Sequence, residues 1–157
     1  MEWTPQLQIL GEVVLSMVLG ALVGFEREIA DKPAGLRTHM LVAGAAALLV
    51  GLTNTIVETM GNWPNATFLQ ADPIRVIEAV VTAVGFLGAG TILRRSEGDR
   101  VQGLTTAASI LLAASVGISV ALQQFVLAVG VTLLALVTLR LVGALEQKFV
   151  KRRTPRS

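Results

Sequence analysis

Five apolar stretches, each about 20 residues long, alternate with short polar connections along this chain. They run Leu7–Phe25, Thr38–Val57, Val76–Leu93, Leu104–Leu122 and Phe125–Leu145. A helix rising 1.5 Å per residue needs roughly 20 apolar residues to cross about 30 Å of hydrocarbon. The pattern therefore predicts an all-α integral membrane protein. Its fold is a single transmembrane domain over residues 1–157, a bundle of five transmembrane helices whose solvent is the lipid bilayer.

The basic residues give the bundle an expected orientation. Arg27, Lys32 and Arg37 follow the first stretch, and only Arg75 lies between the second and third. Arg94, Arg95 and Arg100 follow the third, and no basic residue separates the fourth from the fifth. Arg140, Lys148, Lys151, Arg152, Arg153 and Arg156 sit at or beyond the end of the fifth. Twelve of thirteen Lys and Arg thus fall on one side. Positive residues stay cytoplasmic because they resist translocation. The expected topology is N-terminus outside and C-terminus cytoplasmic.

Composition agrees with a membrane protein. The chain is 53% hydrophobic and 15% charged, with a mean hydropathy of +0.67, whereas soluble domains are about 25% charged. A net charge of +2 and a pI near 9.7 could suggest nucleic acid, but topology accounts for the basic residues, so no nucleic-acid partner is expected. The basic run Lys148–Arg153 instead suits anionic headgroups. Without cysteine, disulfides, thiolate metal sites and cysteine nucleophiles are excluded. Met1–Leu10 lacks a positive leader, so the first stretch is expected to be a retained helix.

The connections differ in character. Glu26–Arg37 is densely charged and broken by Pro33 and Gly35, the mark of a loop. Glu58–Arg75 is the longest, and is expected to be a periplasmic loop with at most a short interfacial helix. Within it, Asp72-Pro73 reads as a helix start with Asp as N-cap. Trp3 and Trp63 both fall on the outer side, at headgroup level. The fourth and fifth stretches are separated by little more than Gln123-Gln124, a tight hairpin.

Polar and small residues inside the stretches mark two possibilities. Glu12, Ser16, Gly20 and Gly24 recur every four residues and share a helix face. That face is a packing seam with Glu12 near the outer interface, or it turns Glu12 into a polar cavity. Gly85, Gly88 and Gly90 crowd the third stretch. They permit close helix packing, or a locally opened turn whose carbonyls could meet a cation. In the fourth, Thr105, Ser109, Ala113, Gly117 and Ala121 form a small-residue face; the fifth is mostly Leu, Val and Ala and reads as lipid-facing. Helix contacts are expected at Gly20, Gly24, Gly85, Gly88, Gly90 and Gly117. Arg75 lies three positions from both Asp72 and Glu78, so one guanidinium can reach two carboxylates. Glu12, Asp72 and Glu78 are the candidate metal ligands. No motif of an established catalytic chemistry is present, and no enzymatic activity or resident cofactor is expected.

The segments Gly24–Glu28, Ala34–His39, Asp72–Val76, Gly85–Gly90 and Gly103–Ala108 resemble, in order, the signature segments of the MgtC/SapB membrane protein family. The resemblance covers about Gly20 to Ile118, and its motif positions here are Glu26, Arg27, Arg37, His39, Asp72, Arg75, Gly85, Gly88, Gly90, Thr105 and Thr106. It implies a bacterial inner-membrane protein of about five helices, associated with adaptation to magnesium limitation. For some members it also implies survival of pathogens inside macrophages through restraint of the F-type ATP synthase. Many relatives carry a cytoplasmic ACT-like domain that this chain is expected to lack. Glu78 departs from the family pattern, which usually has a small residue there, as does Ala83, where Gly is more usual. Two functions follow as expectations. One is a non-enzymatic regulator, expected to be a homo-oligomer, that binds another membrane protein such as a magnesium transporter or the F-type ATP synthase. The other is an oligomeric Mg²⁺ transporter or channel-like conduit.

Reporter fusions test the orientation. A fusion after Arg156 should report cytoplasm and one within Asn62–Gln70 periplasm; a periplasmic C-terminal signal overturns the topology.

Overall fold

A computed structural model describes residues 3–61, 72–94 and 101–151 of the chain. The elements are α1 (Thr4–Ile29), α2 (Leu36–Gly61), α3 (Pro73–Thr91), β1 (Leu93–Arg94), β2 (Val101–Gln102), α4 (Leu104–Ala121) and α5 (Phe125–Lys151). Helices α1, α2, α3 and α4 are each long and apolar enough to cross a membrane, and α5 contributes a shorter apolar run, Phe125–Leu141. The protein is an all-α membrane bundle.

The helix ends follow local chemistry rather than the apolar boundaries. α1 runs on through Glu26, Arg27 and Glu28 and α2 begins at Leu36, so half of the charged segment expected to be loop is helical. Intrahelical hydrogen bonds continue past the last apolar residue, and the helix stops only where Asp31 turns left-handed (φ 54°) ahead of Pro33. There Lys32 N–H donates to the Arg27 carbonyl and Asp31 N–H to that of Glu28, the Schellman closure that satisfies terminal carbonyls. Gln123 (φ 59°) closes α4 the same way, with Gln124 N–H on the Ser119 carbonyl. α3 begins as expected: Asp72 caps it, accepting from Ile74 N–H at 3.0 Å, with Pro73 in the first turn.

The third helix starts and ends a few residues before its apolar stretch does. It ends at Thr91, and Leu93 belongs to β1, which pairs antiparallel with β2 in the register Leu93↔Gln102 and Arg94↔Val101. Gly103 follows with φ +93°, and a Cβ there would run into the Thr91 carbonyl. Only glycine joins β2 to α4 without strain. Trp63 and the rest of the long connection expected before α3, at 62–71, lie outside the described residues, as does the terminal segment 152–157.

Helix α4 packs against all four other helices, and α2 lies beside it, touching α1, α3 and α4. A Cβ on Gly20 of α1 would come within 2.6 Å of the His39 carbonyl and 2.9 Å of the Ala43 Cβ, and one on Gly117 of α4 would strike the Ala43 carbonyl. Ala43 is therefore clasped between two glycines, the close backbone approach expected of small residues in membrane helices. A Cβ on Gly24 would likewise come within 2.8 Å of the Leu36 Cα, and one on Gly88 of α3 within 3.3 Å of the Ala107 Cβ of α4. At Gly85 and Gly90 the packing expectation fails: a Cβ would meet nothing within 4 Å, because both face away from the bundle. Nor is there an opened turn, since α3 is continuous through all three glycines.

Around this seam the core is small and aliphatic. Val80 and Val84 of α3 pack with Ile110 and Ala114 of α4 and Ala46 of α2. On the other side, Leu19, Val116, Val120 and Ala128 join α1, α4 and α5.

Leucine at position 117 would have to push α2 and α4 apart, and overpacking typically costs about 1–3 kcal/mol. Gly117→Leu is thus expected to lower the unfolding midpoint in detergent and the folded yield sharply. Val129→Leu, on an exposed position of α5, should change stability by less than about 0.5 kcal/mol. Equal tolerance would refute the seam.

Candidate functional site

Polar side chains that most bundles would leave in water are buried at the end of the bundle where α1 stops and α2 and α4 begin. His39 is fully buried, and Glu26, Arg27, Thr106 and Ser109 are buried around it. The seam explains the burial. Gly24 brings α1 so near that its missing Cβ would sit 2.9 Å from the His39 Cβ, leaving the imidazole directed toward α4.

His39 bridges two helices through both ring nitrogens. Nδ1 lies 2.9 Å from the Gly35 carbonyl and Nε2 3.0 Å from Ser109 Oγ. A carbonyl only accepts, so Nδ1 carries a proton. In a neutral ring Nε2 must then accept from the Ser109 hydroxyl. That hydroxyl also lies 2.8 Å from the Thr106 carbonyl, and its single proton serves one acceptor at a time. When the proton goes to Thr106, Nε2 must itself be protonated and donate to Ser109. Either charge state of His39 is therefore fully satisfied, at the cost of turning one hydroxyl.

Beside it, Glu26 and Arg27 form a two-pronged ion pair, with Arg27 Nε 2.7 Å from Glu26 Oε2 and Nη2 3.1 Å from Oε1. Adjacent helix residues rarely face one another; burial brings these two together, because neither charge could remain there unpaired. Their fields on His39 oppose one another. Glu28, one residue on, accepts from Leu36 N–H at 2.8 Å and so caps α2 from α1. Arg37 is exposed, and of the two α4 threonines Thr105 is exposed and Thr106 buried.

The other expected cluster is at the opposite end of the bundle and has a different character. Asp72 and Arg75 pair at 3.7 Å with both side chains largely exposed, a contact worth about 0–1 kcal/mol. Glu78 is exposed on α3, and among the described residues no ion pair joins it to Arg75, whose guanidinium instead takes the N-cap carboxylate. The double clamp is therefore half formed. Glu12 belongs to neither cluster: it is buried between α1 and α2, near Gly51, and accepts from Gln8 at 3.1 Å. The structure thus separates the motif residues into a buried group around His39 and an exposed group on α3. The three candidate metal ligands are dispersed, and no group of three or more His, Asp or Glu suited to a metal ion occurs among the described residues.

Ser109 is the participant that sequence reading passed over as a small packing residue. It stands 70 positions from His39, and its signal was a hydroxyl one turn beyond the Thr105-Thr106 pair.

Comparison with known proteins places the chain in a lineage. Residues 13–148 match the MgtC family. An uncharacterized protein of Haemophilus influenzae is 35% identical over 148 residues, covering 94% of this chain and 60% of the relative. Protein SapB of Bacillus subtilis is 34% identical over 76% of this chain and 50% of its own length. Protein MgtC of Salmonella typhimurium is 39% identical over 79% of this chain and 48% of its own. The chain spans about half to six-tenths of the length of these relatives. No solved structure matches it.

The sequence has one histidine, so ¹⁵N spectra of its ring contain one pair of signals. Nδ1 should be protonated at every pH at which the fold persists, with any titration confined to Nε2. A neutral ring protonated at Nε2 would contradict the Gly35 contact.

Proposed function

The chain belongs to the MgtC family, and on that footing we propose that it is a non-enzymatic protein of the bacterial inner membrane that supports adaptation to low magnesium by binding another membrane protein. A magnesium transporter and the F-type ATP synthase are the partner classes to test first. One observation carries this reading: α3 is the least apolar of the four long spans and also the least enclosed by the bundle, with 17% of its apolar window buried against 50% in α4. A helix left to lipid should be the most apolar. α5 meets that standard, exposing Leu127, Leu133, Leu134, Val137 and Leu141. α3 instead exposes Arg75, Glu78, Thr82 and two open glycines, and a carboxylate within a span is costly against hydrocarbon. Protein is the better cover for that face.

A second reading has its own support. Asp72 and Glu78 point outward at one end of α3, so several copies arranged around these faces would ring a path with carboxylates. Mg²⁺ keeps most of its waters and takes one or two carboxylates, which such a ring could supply.

Growth and flux separate the two. Thr82→Leu should abolish complementation at limiting magnesium while leaving membrane levels unchanged, because it fills the docking face with a lipid-compatible side chain. Purified protein in liposomes should move no Mg²⁺ on the first reading. Measurable flux that Glu78→Gln abolishes would replace it with the second, and full complementation by Thr82→Leu would sink the docking face itself.

A further inference from the structure

We propose that the outward face of α3 is covered by a second copy of the same helix, in a parallel two-fold dimer. This rests on the reading of that face as protein-covered, and names the occupant.

The argument starts from helical geometry. Val80, Val84 and Gly88 face the bundle. At 3.6 residues per turn a strip through Thr82 and Ala89, seven residues apart and both exposed, runs along the outward side. Small residues at heptad spacing on the midline let two helices approach closely. The flanks of the strip differ. Arg75 and Phe86 lie on one side and Glu78 and Gly85 on the other. Arg75 and Phe86 project strongly, at 84% and 80% exposure, whereas Gly85 leaves open space where a Cβ would stand.

Two copies inserted in the same direction can be related by a two-fold axis along the membrane normal, which brings equal heights together and sets each flank against the partner's other flank. The consequence is complementarity twice over. Arg75 faces the other copy's carboxylate at position 78, about 4.5 Å away in height, within reach of a guanidinium. Phe86 faces the other copy's open glycine at position 85, a knob opposite a hollow one residue away in height. Charge and shape thus match under a single operation. A lone copy leaves Glu78 without an ion pair among the described residues; the dimer supplies one.

The chain contains no cysteine, so single substitutions report proximity without background. Full-length chains carrying Thr82→Cys or Ala89→Cys, both small changes at exposed positions, should form disulfide-linked species of twice 16.6 kDa on oxidation in membranes. Leu134→Cys on α5 should not. In the Thr82→Cys chain, Arg75→Glu or Glu78→Arg alone should lower the cross-linked yield about tenfold, since like charges then face each other. The double exchange Arg75→Glu/Glu78→Arg should restore it. Products of another mass at positions 82 and 89 would overturn the second copy as occupant while leaving the docking reading intact. If no product forms, and a lipid-soluble maleimide labels positions 82, 89 and 134 alike, both fail. Cross-linking indifferent to the charge exchange would overturn the two-fold arrangement.

Discussion

Everything in this bundle is arranged around the approach of three backbones at Ala43. Lipid offers no hydrophobic drive for helices to associate, so contact has to come from close van der Waals packing. Glycines at positions 20 and 117 admit α1 and α4 to opposite sides of α2. A side chain at either position would separate the helices by more than the packing of the remaining small residues could tolerate. The valine and alanine core is a consequence of that spacing, because larger residues would not fit between helices so near.

The same approach creates the buried polar group. One turn from Ala43, α2 carries His39, and with Gly24 on one side and Ser109 on the other the imidazole has no route to water. Burial then dictates chemistry. Both ring nitrogens must find partners, and Glu26 must hold Arg27 because an unpaired charge there would cost several kcal/mol. The His39–Ser109 bond joins the starts of α2 and α4, and Glu28 ties the end of α1 to the α2 backbone nearby. This end of the protein is fastened by hydrogen bonds and the middle by glycine contacts.

α3 stands apart from this economy. It uses one face for the core and leaves the other, with its opposed charges, open glycine and projecting Phe86, outside. A bundle that so carefully satisfies His39 would be inconsistent in abandoning Glu78 to hydrocarbon. In the proposed reading another protein surface covers that face and pairs the charge.

The sequence by itself determined the class of the molecule. Apolar runs matched to bilayer thickness, the Asp72-Pro73 helix start, the tight turn at Gln123-Gln124 and the family segments were all legible, because each depends on residues near in sequence or on counting. The seam at Gly20, Gly24 and Gly117 was legible too, since four-residue spacing is local. Which glycines touch another helix was not: Gly85 and Gly88 differ only by rotation on α3, and the position of α4 decides which of them is covered. Nor could spacing show that Glu26 and Arg27 turn toward each other, that Ser109 meets His39, or that Arg75 spends its guanidinium on Asp72 rather than Glu78. Those outcomes depend on which faces three separate helices present to one another, and only the tertiary packing settles that.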